Sequence, residues 1–359
     1  EDEKEAVTAA LNSGRLTMGQ RTEEFEAAFA KEVGSKYSVM VNSGSSANLV
    51  AVASLFHHPS RPLTRGDEVI VPAIAWATTY APLHQYGLKL RVVDVDATLN
   101  ADVTALERAL TSRTRLLVAV NVLGFPADLM TMQNFADKHG LWFMEDNCES
   151  LGAWYEGKQT GTFGHLGTFS LFFSHHLNTI EGGVIVTDDI ELYRLARCLR
   201  SHGWTRAYEN TEDYRFVLPG YNVRPTELSA AAGLVQLKRL KTLQGQRALN
   251  WIYFKSSFPN YDWAVLQKSR GTPVPFGFVI IANTPDARQQ ARARLREAGI
   301  ESRMVTGGCF TEHPAARLYD YEESGDLRWS RQVHYNGFFV GNIPIDLSRK
   351  IDRMWEVLA

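Results

Sequence analysis

Hydrophobic and polar positions in the first two-thirds of the chain form two alternating kinds of segment. Short runs rich in Val, Ile and Phe show little strict alternation, which is typical of strands covered on both faces of a sheet. These runs occupy residues 67–74, 88–96, 115–124, 141–149, 167–173 and 182–189. Between them, apolar residues at helical spacing predict helices over 46–56, 102–111 and 128–140. The alternation predicts an α/β fold with a mostly parallel sheet covered by helices.

The pattern changes after Pro225. Residues 226–258 carry apolar positions at helical spacing and predict one long helix, or two in sequence. Beyond them the pattern predicts a strand at 275–283, a helix at 286–299 and a strand at 300–305. Helix-like stretches follow to the end. We therefore predict a large domain over 1–245 and a smaller α+β domain over 246–359.

Composition narrows the possible partners. The 359 residues contain 38 Lys and Arg against 40 Asp and Glu, and no polybasic run is present. A binding partner that is a nucleic acid or an anionic membrane is therefore not expected. No apolar stretch approaches the roughly 20 residues that a membrane helix needs. Three scattered cysteines without a C-x-x-C pair fit a reducing compartment, so we expect a cytoplasmic protein.

The first candidate for chemistry is the stretch from Ser43 to Ser46, which follows a strand-like run and opens a helix. Hydroxyls and free backbone amides at a helix N-terminus can bind a phosphate, and the helix dipole favours the negative charge. The alternative is that a serine only caps the helix.

Two more candidates follow the ends of predicted strands. Trp76 could stack on a planar heterocycle or could fill the core. Asp146 ends a strand, where open α/β sheets bind ligands, and could hold the protonated ring nitrogen of a pyridoxal cofactor. The alternatives for Asp146 are a helix cap or a surface ion pair.

These parts, in this order, resemble the DegT/DnrJ/EryC1/StrS family of sugar aminotransferase-like proteins. The resemblance extends from about Arg15 to Leu347 and is carried by several stretches of sequence, namely RLTMGQRTEEFEAAFA, VNSGSSANL, DEVIVPAIAWATT, VDVD, LGFPAD, EDNCES, GTFGHLGTFSLFF, EGGVIVTDD and GYNVRPTELSAA. It implies the fold type I of pyridoxal-phosphate enzymes and a pyridoxal or pyridoxamine 5′-phosphate cofactor.

One residue departs from the family's aminotransferases. They carry a lysine five residues after a phosphate-binding serine and seven before a Gly-Gly pair, and that lysine bonds covalently to the cofactor. Here the serine is Ser170, the first glycine is Gly182, and His175 stands at the lysine's place. Imidazole is a poor partner for that bond and a good proton carrier near neutral pH. We read the neighbouring His176 as structural.

The resemblance then implies a changed reaction. A small branch of the family eliminates the C3 hydroxyl from a nucleotide-linked 4-keto-6-deoxyhexose by means of pyridoxamine phosphate, which L-glutamate regenerates. The expected function is such a 3-dehydratase in colitose-type dideoxysugar and O-antigen biosynthesis. GDP-4-keto-6-deoxy-D-mannose is the substrate that the resemblance favours, while CDP- and dTDP-sugars stay open.

The resemblance also implies roles for individual residues. His175 is the expected catalytic residue, and the expected cofactor contacts are Gly44, Ser45, Ser46, Trp76, Asp146, Glu149, Ser170 and Asn222, the last of these donated by the partner subunit of a homodimer. Arg206 and Arg224 are candidates for binding the glutamate carboxylate or the nucleotide phosphates, because a guanidinium suits both. Surface ion pairs are the alternative for these two arginines.

The adjacent histidines and the cysteines allow other interpretations of the site. Two adjacent histidines could be metal ligands, but nothing nearby supplies the rest of a ligand set, so no metal is expected. A related C3 dehydration uses an iron–sulfur cluster, and three scattered cysteines do not provide the four thiolates that most clusters take. The remaining alternatives are an inactive sugar aminotransferase and a non-catalytic protein that binds the cofactor.

Overall fold

The computed structural model describes residues 1–205 and 214–359. Helices in these ranges are Asp2–Asn12 (α1), Gln20–Val33 (α2), Gly44–Phe56 (α3), Ala77–Gln85 (α4), Leu106–Ala109 (α5), Leu129–His139 (α6), Ile190–Arg200 (α7), Glu227–Ser256 (α8), Pro285–Glu297 (α9), Arg328–Asn336 (α10) and Ser348–Leu358 (α11). No helix in the described ranges is long and apolar enough to cross a membrane.

Strands in the same ranges form three sheets. They are Tyr37–Val41 (β1), Glu68–Pro72 (β2), Lys89–Val93 (β3), Thr114–Val120 (β4), Trp142–Asp146 (β5), Trp154–Tyr155 (β6), Lys158–Gln159 (β7), Leu166–Ser170 (β8), Gly183–Thr187 (β9), Ala264–Leu266 (β10), Gly277–Ala282 (β11), Ser302–Arg303 (β12), Tyr321–Glu323 (β13) and Gly337–Gly341 (β14).

The large sheet has eight strands in the order β1-β9-β8-β5-β4-β2-β3-β13. All neighbouring pairs are parallel except the two that β9 makes, with β1 and with β8. This confirms the predicted α/β class with a mostly parallel sheet, and all six strands expected in the first two-thirds of the chain are present. The predicted helix over 102–111 is wrong in length, because only Leu106–Ala109 is α-helical there.

Both faces of the large sheet are buried, as the lack of strict alternation predicts. Neighbouring residues on one strand point to opposite faces. On β4, Leu117 packs in a cluster with Leu129 and Met132 of α6, whereas Leu116 belongs to the cluster on the other face.

The second sheet is antiparallel, has four strands in the order β10-β11-β14-β12, and is built from the C-terminal third of the chain. The expected helix-like stretches at the end of the chain are therefore only partly correct, because β14 is a central strand of this sheet and β13 pairs with β3 of the large one. Helix α8 runs without interruption through the predicted boundary between 245 and 246. The division into 1–245 and 246–359 stays a prediction.

Candidate active site

A cavity of about 500 Å³ opens where β5 and β8 end. Both strands are parallel members of the large sheet, so their carboxyl ends lie at the same edge, where such sheets bind ligands. Among the predicted site residues, the cavity is lined by Gly44, Ser45, Trp76, Asp146, Glu149, Ser170 and His175. The fold thus brings together seven of the residues that the sequence places far apart.

The start of α3 forms one wall of this cavity. Ser43 caps the helix, since its hydroxyl accepts a hydrogen bond from the Ser46 amide at 3.1 Å. A Cβ atom on Gly44 would lie 2.7 Å from the Ser170 Cβ, so the helix can approach the end of β8 only with glycine here. The capping reading is therefore confirmed for Ser43. Ser45 and Ser170 line the cavity, and their binding of a phosphate stays a prediction. Ser46 is not a lining residue.

Asp146 is a buried carboxylate at the base of the cavity. Its Oδ2 accepts hydrogen bonds from Asn48 Nδ2 at 2.8 Å and Thr79 Oγ1 at 2.7 Å, and its Oδ1 accepts from the Cys148 amide at 3.2 Å. Within the described ranges, no Lys, Arg or His forms an ion pair with it. A buried carboxylate held in this way suits a cation supplied by a ligand. The protonated ring nitrogen of a pyridoxal cofactor is such a cation.

Trp76 stands at the mouth of the cavity as the residue preceding α4. Its side chain is 58% exposed, so the alternative that it fills the core is wrong. The exposed indole therefore offers a flat surface beside the cavity that contains Asp146.

The two histidines lie in a turn after β8 and point to different surroundings. The His175 amide donates to the Phe172 carbonyl oxygen at 2.9 Å, which makes the segment a turn. The His175 ring lines the cavity and lies 5.0 Å from the Phe276 ring. His176 is 2% exposed, and its Nε2 donates to the Val274 carbonyl oxygen at 2.8 Å. His176 is thus buried inside its own chain.

The surroundings of His175 favour the neutral imidazole. Burial and the nearby positive charge of Arg247 lower the pKa of His175 to about 4. Its Nδ1 is buried and has no hydrogen-bond partner among the described residues, so an imidazolium, which needs two acceptors, is disfavoured. At neutral pH the ring is therefore a base with a free lone pair.

Glu149 links the two sheets across the cavity. Its Oε2 accepts from the Leu123 amide at 2.9 Å and from Thr306 Oγ1 at 3.1 Å, and Thr306 follows β12 of the second sheet. Burial raises the pKa of Glu149 to about 7, and the negative charge of Asp146 adds to the rise. Hence this carboxyl carries a proton for much of its time at neutral pH.

Besides Ser46, two of the predicted residues that the structure describes, Asn222 and Arg224, do not line the cavity within this chain. Asn222 is exposed, and its Oδ1 accepts a hydrogen bond from Arg224 Nε at 3.1 Å. Arg206 lies outside the described residues. The roles assigned to Asn222 and Arg224 require a second subunit and stay predictions.

Sequence reasoning missed the residues that the second sheet contributes. These are Phe276, Arg303, Met304, Thr306 and Phe339. It also missed Asn48 and Thr79, whose side chains hold Asp146. The stretch WATT, which begins at Trp76 and ends at Thr79, is a local signal for Thr79. No local sequence pattern marks the residues of the second sheet as part of the site.

The three cysteines are free, and the described residues contain no group of three or more His, Cys, Asp and Glu side chains placed to hold a metal ion. Cys148 lies beside Asp146, and burial raises the pKa of its thiol well above the usual value. It is therefore a protonated thiol at neutral pH, and an inert one.

Known proteins resemble the chain over nearly its whole length. GDP-4-keto-6-deoxy-D-mannose 3-dehydratase of Yersinia pseudotuberculosis is 43% identical over an alignment of 376 positions, gaps included, which covers 99% of this chain and 96% of that protein. A crystal structure of GDP-4-keto-6-deoxymannose-3-dehydratase with a trapped PLP–glutamate geminal diamine superposes with a TM-score of 0.97 at 41% identity, covering 100% of this chain and 97% of the other.

A further crystal structure of that type of enzyme, a mutant with bound GDP-perosamine, has a TM-score of 0.96 at 41% identity over 100% of this chain and 97% of the other. These similarities agree with the fold type predicted from the sequence. The profile of the DegT/DnrJ/EryC1/StrS aminotransferase family matches residues 1–349. The chain therefore belongs to the DegT/DnrJ/EryC1/StrS aminotransferase family.

Proposed function

We propose that this protein is a pyridoxamine-phosphate-dependent 3-dehydratase that removes the C3 hydroxyl of GDP-4-keto-6-deoxy-D-mannose. The observation that carries the proposal is His175, a neutral imidazole facing the cavity at the place where the family's aminotransferases have lysine. The 41–43% identity to dehydratases of this name over nearly the whole chain supports the same substrate.

The residues around the cavity fit the cofactor. Asp146 would hold the ring N–H, and Trp76 would lie against a face of the ring. Gly44, Ser45 and Ser170 would receive the phosphate at the positive end of α3. Glu149 would lie on the side of the phenolic oxygen. When bound, pyridoxamine phosphate supplies an amine for the 4-keto group and a conjugated ring that accepts electrons.

His175 serves the reaction as a proton carrier. Its imidazole cannot form the covalent bond that lysine forms, so the cofactor amine stays free for the sugar. The neutral ring accepts a proton at Nε2, the nitrogen opposite the buried Nδ1. The resulting imidazolium can give that proton to the hydroxyl that leaves from sugar C3, so that water departs instead of hydroxide.

Glutamate closes the cycle. One turnover replaces the C3 hydroxyl of the sugar by hydrogen and converts L-glutamate into 2-oxoglutarate and ammonia, so the two electrons gained by the sugar come from glutamate. The structure of the similar dehydratase with a trapped PLP–glutamate adduct supports glutamate as the amino donor.

We further propose a homodimer with shared active sites, working in the cytoplasm in colitose-type O-antigen biosynthesis. Exposed Asn222, with Arg224 bonded to it, supports the dimer, because neither side chain reaches the cavity of its own chain. Arg303 is the only arginine among the described lining residues. A partner that supplies Arg206 and Arg224 would add positive charge for the diphosphate of the substrate.

A single assay tests the function. The protein is mixed with pyridoxamine phosphate, L-glutamate and GDP-4-keto-6-deoxymannose, and ammonia, 2-oxoglutarate and the mass of the sugar nucleotide are followed. Loss of one oxygen atom from the sugar together with both by-products supports the proposal. An amino sugar would mean transamination, and bound cofactor without turnover, also on CDP- and dTDP-sugars, would favour the non-catalytic alternative.

A further inference from the structure

A buried guanidinium lies directly beneath the turn that carries His175. Arg247 sits within α8, is 3% exposed, and forms no ion pair with a carboxylate in the described ranges. Its Nη2 donates to the carbonyl oxygens of Ser174 and His175, at 3.3 Å each, and its Nη1 donates to the carbonyl oxygen of Asn342. A buried cation without a carboxylate is costly, so its retention calls for a purpose beyond packing.

We propose that Arg247 is a positioning residue for the dehydration: by binding the carbonyl oxygens of the Ser174–His175 turn, it fixes where the imidazole enters the cavity. This inference rests on the proposed function, in which His175 carries the proton.

The imidazole needs such support because its own polar atoms make no hydrogen bond to a described residue. Its position therefore depends on its backbone and on the aromatic rings beside it, of which Phe276 lies at 5.0 Å and Phe172 at 6.0 Å between ring centroids. Arg247 holds the backbone side of this arrangement directly.

The second terminal nitrogen of the Arg247 guanidinium, Nη1, supports the segment that carries Phe276. It binds the carbonyl oxygen of Asn342, whose side-chain amide donates to the Pro275 carbonyl oxygen at 2.9 Å, immediately before Phe276. One guanidinium thus ties together the turn that carries the imidazole and the segment that packs against its ring. Since α8 also supplies Asn250, which bonds to Asn342 Oδ1 at 2.9 Å, the support comes from a single rigid helix.

Arg247 also acts on the charge of His175. The ionisable groups around the imidazole are Arg247 from α8, His176 in the same turn, and the cavity-lining Asp146, Cys148, Glu149, Glu181 and Arg303. Burial comes first in lowering the pKa of His175, and the positive charge of Arg247 comes second. The imidazole therefore rests in the neutral form, in which one ring nitrogen has a free lone pair for a proton from the reacting group.

Two substitutions separate the position from the charge. Arg247→Lys keeps the positive charge and loses the planar fork, whereas Arg247→Met loses both. Arg239→Met is the matched control, because Arg239 lies on the same helix, is 43% exposed, and pairs with Asp2 and Glu3 far from the cavity. The ring Cε1–H resonance of His175, assigned by its loss in His175→Asn, is followed in the cofactor-free chain from pH 8 to pH 4.5.

In the native chain and in Arg239→Met, we expect that resonance not to reach its midpoint in this range, because the pKa of His175 is about 4. In Arg247→Met the midpoint should move upward into the range, by roughly half to one pH unit, since burial remains. In Arg247→Lys the midpoint should stay below the range, but kcat should fall roughly a hundredfold while KM changes by less than about threefold, because a misplaced base slows the chemical step and leaves binding intact.

Arg247 is only a packing residue, and the inference is overturned, if Arg247→Met leaves both the titration and kcat at the native values. If Arg247→Met does not fold, as judged by circular dichroism, the kcat of Arg247→Lys decides alone. The titration needs neither cofactor nor substrate. A native protein that fails to dehydrate the sugar removes the proposed function and with it the positioning role in dehydration, whereas the titration still shows separately whether Arg247 acts on His175.

Discussion

At the scale of single residues, the site depends on which side chains can hold a proton at neutral pH. His175 is kept neutral and Glu149 is kept partly protonated, and in both cases the main cause is burial. Burial acts against the charged form in each, so it lowers the pKa of the histidine and raises that of the carboxyl. The two groups thus differ in role although they line the same cavity.

His175→Asn should abolish dehydration and leave the binding of pyridoxamine phosphate within about threefold of native, because the amide fills similar space without accepting a proton. His139→Asn, on α6 and away from the cavity, is the control. Turnover is measured as ammonia release, and binding by equilibrium dialysis. Near-native turnover of His175→Asn would remove the role assigned to His175.

His175→Lys should restore a covalent bond to the aldehyde of added pyridoxal phosphate and produce an absorbance band in the visible region, since an amine at this position faces the cavity. Lys158→Met in the same background should leave the band unchanged, because Lys158 lies on the β6–β7 hairpin and does not line the cavity. A spectrum like that of the parent protein would mean that residue 175 does not occupy the position of the lysine.

Glu149 should make the cofactor-free chain less stable as pH rises from about 4.5 to 7. In this window the folded state keeps a proton that the unfolded state has lost, and the difference is worth up to about 3 kcal/mol. Glu149→Gln removes this dependence. The free energy of unfolding of the variant, minus that of the native chain, should therefore increase between pH 5 and pH 7.5. Urea titrations at both pH values measure it, and an equal difference at both would contradict the predicted pKa.

At the scale of elements, the close approach of α3 to β8 forms the candidate phosphate site. The helix can begin there because Gly44 has no side chain to meet Ser170 and Cys148. Ser43 supplies the cap, which leaves the hydroxyl of Ser45 and the end of β8 facing the cavity. The chemistry of the site therefore depends on how two elements pack as well as on which residues they carry.

Gly44→Ala should weaken the binding of pyridoxamine phosphate about tenfold or more, since a Cβ 3.1 Å from the Ser170 Cα forces the helix start away from the strand. Gly245→Ala is the control, because its Cβ would meet nothing within 4 Å in the middle of α8, where alanine should stabilise by up to about 1 kcal/mol. Calorimetric titration measures both, and unchanged affinity in Gly44→Ala would exclude this end of α3 as the phosphate site.

At the scale of the whole molecule, the cavity joins two sheets and is proposed to need two subunits. Glu149 and Thr306 meet across the sheets within one chain, and Arg247 ties α8 to both. Asn222 and Arg224 stay outside their own cavity. A shared site therefore predicts that damage in one subunit can be complemented by the other.

Mixing His175→Asn with Asn222→Ala after reversible dissociation should restore about a quarter of native turnover. Half of randomly formed dimers are mixed, and each mixed dimer has one site with both residues intact. Each variant alone should stay nearly inactive, and sedimentation should show a dimer throughout. No recovery in a mixture shown to contain mixed dimers would rule out a shared site.

Local patterns in the sequence predicted six of the eight strands of the large sheet and placed Asp146 at a strand end. Periodicity carries this information because it depends on residues that are near in the chain. The place of His175 at the lysine position came from the resemblance to the family. The sequence left Trp76 and the serines with two readings each. The exposure of Trp76 excludes the core, and a hydrogen bond identifies Ser43 as the helix cap, while ring stacking and phosphate binding stay predictions.

The packing of the folded chain determines which residues contact these across the cavity. Phe276, Thr306 and Arg247 reach the site through the packing of the second sheet and α8, and β13 joins the large sheet from the far end of the chain. Contacts of this kind join residues about 70 to more than 200 positions apart, so no local pattern encodes them. The burial that lowers the pKa of His175 arises from the same packing, and hence the neutral imidazole is a property of the folded chain.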